Sequence, residues 1–81
     1  MNFDMLEMDV MRKFDADIGR KNVTSTEAAL NVASCIGFIA SAEMDGGDDA
    51  IEFRIGQLIH AVIVYCETKN LTLTKCLERV A

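Results

Sequence analysis

The chain has 81 residues with no Pro, no Trp, five Gly and 51% apolar residues, a composition that suits packed helices better than a turn-rich β protein or a disordered tail. A second domain is excluded by size, and a single core of this length is marginal by itself. Thirteen acids against eight bases leave a net charge of −5, which disfavours direct contact with nucleic acid or anionic lipid and leaves a basic or mixed-charge protein as the easier partner.

In the first segment Phe3, Leu6, Val10, Phe14 and Ile18 recur at three or four residues and share one helical face, with Met5, Met8 and Met11 on a second face beside it. Asp4 and Glu7 have the spacing of a capping box, and Gly19 with Arg20 and Lys21 supplies a stop. The first helix is therefore expected over about Asp4 to Ile18. Three Met beside an aromatic stripe exceed what one neighbouring helix needs, so Met5, Met8 and Met11 are candidates for an adaptable binding face.

Thr24 and Glu27 form a second capping box, which starts the small-residue run AALNVASCIGFIASA. Ala33, Gly37 and Ala40 or Ser41 lie along one side, where another backbone could approach closely, while Val32, Ile36 and Ile39 supply bulk. Gly46 and Gly47 end this helix.

The third helix is expected over Asp48 to Thr68, with Asp49 and Glu52 as a capping box and Asp48 adding charge at its positive end. Ile51, Ile55, Leu58, Ile59, Val62 and Cys66 form a stripe, yet Phe53, Ile63 and Val64 fall outside it. A helix apolar nearly all round must be covered nearly all round. Its length, and the lack of any other segment to pair with, reject a strand across IHAVIVY. Asn70 caps the helix after Lys69, and Thr72 starts a short last helix carrying Leu73, Cys76, Leu77 and Val80.

The expected fold is all-α: one four-helix domain around a long central helix, its core completed by homodimerisation. Ile55, Leu58, Ile59, His60, Val62 and Ile63, together with Met5, Met8 and Met11, are the expected interface residues. Cys35, Cys66 and Cys76 are an odd number without a C-x-x-C pair, which reads as reduced thiols of a cytoplasmic protein. MNFDMLEMDV carries acids where a signal peptide carries bases, and no apolar run reaches the ~20 residues of a membrane span.

Glu43, Asp45, Asp48, Asp49 and Glu52 fall within ten residues and could offer oxygen ligands to Mg²⁺ or Ca²⁺. Helix-start electrostatics and solubility account for them as well, so Glu43, Asp48, Asp49 and Glu52 stand as candidates without an assigned metal. His60 and the cysteines lack the local ligand pair that seeds a zinc site. No catalytic residue and no cofactor is expected.

Cys35-Ile36-Gly37-Phe38, Arg54-Ile55-Gly56-Gln57 and the closing LIHAVIVYCETKNLTLTKCLERVA give the chain a plan that resembles the MazG-like all-α nucleotide pyrophosphohydrolases over most of its length. The first two tetrads fall where that family has its E-x-G-E and E-x-[GA]-D metal motifs. Cys35, Phe38, Arg54 and Gln57 replace the four carboxylates, so the resemblance implies the family's scaffold, which assembles as dimers or tetramers, without metal-dependent hydrolysis. The expected function is that of a small non-enzymatic interaction protein, a regulator or inhibitor of the sort that phages and mobile elements encode. The alternative is a divergent nucleotide-binding or hydrolysing protein that uses the turn acids.

Overall fold

A computed structural model describes residues 3–17 and 23–81, with side chains for 5–13 and 23–81. Four helices account for most of these: α1 (Phe3–Asp17), α2 (Ser25–Asp45), α3 (Asp48–Thr68) and α4 (Leu73–Val80). No strand occurs among the described residues, so the expected all-α class holds. The stop expected at Gly19, Arg20 and Lys21 lies outside the described residues.

Helices α2 and α3 form an antiparallel hairpin, and α3 is the hub against which α1 and α4 also pack. The hairpin starts at the Thr24–Glu27 capping box, where Thr24 Oγ1 accepts from the Glu27 amide at 3.1 Å. It turns on two residues because Gly46 permits a close approach: a Cβ there would lie 2.9 Å from both the Ala42 carbonyl oxygen and the Ala50 Cβ. Ala28, Cys35 and Ala42, at heptad spacing, are the buried residues of α2, and small side chains on that line let the two backbones pack closely.

The capping box expected at the start of α3 does not form. Gly47 is the N-cap and has no side chain to offer, so Asp48 and Asp49 act as first-turn charges instead. The far end follows the sequence closely: Asn70 takes φ 57°, its amide donates to Glu67, and the Leu71 amide donates to Cys66. That pair of bonds is a Schellman motif, and Asn tolerates its left-handed position better than most residues.

The inner face of α1 differs from the periodic reading. Leu6 is exposed, while Glu7 is 3% exposed and is the buried described side chain of this helix. The reason lies in α4, where the Glu7 carboxylate accepts from the Leu73 amide, from the Thr74 amide at 3.3 Å and from the Thr74 hydroxyl at 2.9 Å. Glu7 therefore caps α4 across the fold, while the box expected with Asp4 falls on a side chain outside the described ones. Thr72 completes the cap by accepting from the Lys75 amide at 3.2 Å.

The expectation that α3 is covered on most sides does not hold within one chain. Its buried residues, Ala61, Ile63, Cys66 and Glu67, lie in its C-terminal half, whereas Phe53 is 62% and Ile55 46% exposed. The stripe of Ala33, Gly37 and Ala40 also faces outward, and a Cβ on Gly37 would meet nothing within 4 Å. In α4, Leu77 and Val80 are exposed as well.

Summed over all its residues, the chain is also more open than a compact monomer. The chain exposes 5959 Å², where a folded monomer of 8.9 kDa exposes about 4,800 Å². Its radius of gyration is 13.3 Å, against about 11.7 Å for a compact domain of this length.

Candidate functional site

The hairpin has two flanks of different chemistry. On one flank, Asn31, Cys35 and Phe38 of α2 and Asp49, Glu52, Phe53, Gly56, Gln57 and His60 of α3 line an open cleft of about 750 Å³. On the other, Val32, Ile36 and Ile39 of α2 lie beside Ile51, Ile55, Leu58 and Val62 of α3. The helical repeat and the antiparallel course of the hairpin put these seven side chains together, and each is half-buried or exposed.

Helices α2 and α3 bring Cys35, Phe38, Arg54 and Gln57 together beside the cleft. The Arg54 guanidinium lies 4.8 Å from the Phe38 ring centre and 5.6 Å from that of Phe53, and its Nη1 donates to Gln57 Oε1 at 2.8 Å. The buried Cys35 thiol points at the Gln57 carbonyl oxygen, 3.9 Å away. Cation–π contacts, a hydrogen bond to the Gln57 side-chain amide and a thiol contact thus hold these four residues together. A divalent cation would meet a fixed positive charge there, with no carboxylate supplied by any of the four positions.

Among the candidate acids, Asp49 and Glu52 line the cleft, while Glu43 and Asp48 do not; all four are exposed. Among the described residues, no group of three or more His, Cys, Asp or Glu side chains converges on a point where a metal ion could sit. His60 is exposed at the cleft wall.

The expected interface residues separate into four groups, one of which is His60 alone, on the cleft flank. Ile55, Leu58, Ile59 and Val62 lie on or beside the aliphatic flank and retain exposed surface; Ile59 is 37% exposed. Ile63 is 3% exposed, and its burial within the protomer removes it from any surface. On α1, Met5 and Met8 are exposed and Met11 is half-buried.

Cys35, Cys66 and Cys76 are free thiols. Burial raises the Cys66 pKa from 9.0 to about 11, with further contributions from the neighbouring Cys76 thiol and the Glu7 carboxylate. Such a thiol is a poor nucleophile at neutral pH.

Sequence reasoning missed the role of Glu7 and the contribution of α2 to the exposed surface. Glu7 gave a signal, an acid inside an apolar helical face, but its acceptor role is set by residues 66 and 67 positions away.

The geometry defines an all-α protein built on a helical hairpin with an aromatic cleft on one flank and an aliphatic surface on the other. No family model, no curated protein and no solved structure matches the chain. Among the described residues, no helix is long and apolar enough to cross a membrane.

Proposed function

We propose that this chain is a non-enzymatic helical interaction protein that works as a homo-oligomer and acts by binding another protein, as a regulator or inhibitor does. The observation that carries the reading is the apolar surface left open on neighbouring helices: Ile36 is 56%, Phe38 47%, Phe53 62% and Ile55 46% exposed. Association is the physical outlet for exposed apolar side chains grouped in this way.

The Cys35–Phe38–Arg54–Gln57 cluster supports the non-enzymatic part, because a cation and an aromatic ring occupy positions at which phosphoanhydride hydrolysis of the MazG type requires carboxylates. On this reading the MazG-like plan is retained as a scaffold. Three free thiols and acidic surface charge support a place in the reducing cytoplasm. An origin in a phage or mobile element belongs to the same proposal and rests on small size and acidity alone.

Light scattering coupled to size-exclusion chromatography tests self-association. The expected molar mass is twice the 8.9 kDa of the chain or a higher multiple; elution as a monomer at micromolar concentration would refute it. The exposed methionines of α1 are the surface proposed for the second protein. Once that protein is in hand, replacing Met5, Met8 and Met11 with Ala is expected to weaken its binding with helicity unchanged.

A second reading has one observation in its favour. Asp49 and Glu52 stand on the wall of a cleft that also presents Phe38 and Phe53, an arrangement able to hold a base near metal-binding oxygens. A divergent nucleotide-binding or hydrolysing protein would raise its melting temperature in millimolar nucleoside triphosphate with Mg²⁺. The first reading predicts no shift.

A further inference from the structure

We infer that the aliphatic flank of α2 and α3 is covered by the same flank of a second, antiparallel copy, closing a four-helix bundle and leaving the two aromatic clefts on the outside. This inference rests on the homo-oligomer reading and adds to it the face, the stoichiometry and the relative direction of the copies.

The seam is visible in the spacing. Val32, Ile36 and Ile39 are separated by four and three residues, and Ile51, Ile55, Leu58 and Val62 by four, three and four. Both helices of the hairpin thus carry the seven-residue repeat of apolar positions that packs helices at a shallow angle with side chains set into the spaces of a facing layer. Each series is already half-covered by its neighbour in the hairpin, and the remaining half faces outward, with Ile36 56% and Ile55 46% exposed. No charged side chain interrupts either series between its ends.

The exposure agrees. Every member of the two series is half-buried or exposed, Ile36 and Ile55 about half exposed, so each keeps apolar area for a second copy to cover. The cleft flank is a poorer candidate, because Asp49, Glu52, Asn31, Gln57 and His60 would all lose water there.

Charge sets the direction. Glu43 and Asp48 stand at the turn end of the aliphatic flank, and Lys69 stands on the same side of α3 at the other end. A parallel pair would bring both sets of carboxylates together. An antiparallel pair centred near Leu58 and Ile59 places Lys69 of each copy opposite Asp48 of the other, since those residues are equally far from that centre.

The test is sedimentation velocity on the full chain and its variants, with circular dichroism recording the fold of each. Ile36→Asp and Ile55→Asp are expected to give helical monomers, while Phe53→Asp, on the cleft flank, stays dimeric. Lys69→Glu is expected to weaken the dimer about two- to five-fold, as an exposed pair does, and adding Asp48→Lys restores it. Should the Ile variants unfold, isotope-filtered NOEs between labelled and unlabelled wild-type copies decide the matter, with contacts expected among the Ile36, Ile55 and Leu58 methyls.

An oligomer whose intermolecular NOEs come from Phe38 and Phe53 would overturn this face and leave the homo-oligomer reading standing. A wild-type monomer would overturn both. Failure of the charge reversal to restore association would overturn the antiparallel direction.

Discussion

Replacing Glu7 with Ala removes the acceptor of two α4 amides and of the Thr74 hydroxyl, groups that pack where water has poor access. Hydrogen bonds to a charged acceptor contribute about 1.5–3 kcal/mol each at most, and they are not additive. The expected loss is about 2–3 kcal/mol in chemical denaturation, concentrated in α4, where amide exchange should accelerate first. Unchanged exchange in α4 would mean that Thr72 alone caps the helix. Cys66 gives a second prediction at this scale: with its pKa raised from 9.0 to about 11, the folded protein holds the thiol proton more tightly than the unfolded chain does. Its contribution to stability is therefore full below pH 9 and is lost as the pH rises toward 11. Alkylation of Cys66 near pH 8 should be about a hundred-fold slower in the folded than in the unfolded protein; equal rates would show that the thiol is not buried. The buried, protonated state of Cys66 was legible from its place on an apolar helix, whereas the role of Glu7 was not, since its partners lie 66 and 67 positions away.

At the scale of the elements, the glycines divide by what surrounds them. Gly46→Ala places a methyl group 2.9 Å from the Ala42 carbonyl oxygen and the Ala50 side chain, which have little room to move at a two-residue turn. A loss of about 1–3 kcal/mol is expected. Gly37→Ala meets nothing within 4 Å in the chain and should instead stabilise α2 by about 0.5–1 kcal/mol. Thermal unfolding of the two variants checks both signs, and destabilisation by Gly37→Ala would mean that a helix packs on the Ala33–Gly37–Ala40 stripe. The helix bounds were largely legible in local chemistry: the Thr24–Glu27 box, the double glycine and Asn70 act within a few residues of themselves. The helix faces were less so. Ala33, Gly37 and Ala40 and the line of Ala28, Cys35 and Ala42 are both rich in small residues, and periodicity cannot say which one meets α3.

For the molecule as a whole, the apolar excess of α3 was legible from the pattern between Leu58 and Cys66, and part of it is used internally. Ile63 and Cys66 are covered within the chain, while Ile55 and Ile59 stay partly open. What the pattern did not show is that α2 contributes as much to the open surface, through Ile36 and Phe38. The Cys35, Phe38, Arg54 and Gln57 positions were singled out by motif spacing, and the fold does bring them together, although only the fold shows the Arg54 guanidinium over the Phe38 and Phe53 rings. On the proposed homo-oligomer reading a second copy completes the core, so folding and association are linked. The most direct measurement is the midpoint of thermal unfolding over a wide range of protein concentration. A chain whose folded state is a dimer unfolds at a midpoint that rises steadily with concentration; a midpoint that stays constant from nanomolar to high micromolar protein would contradict the account.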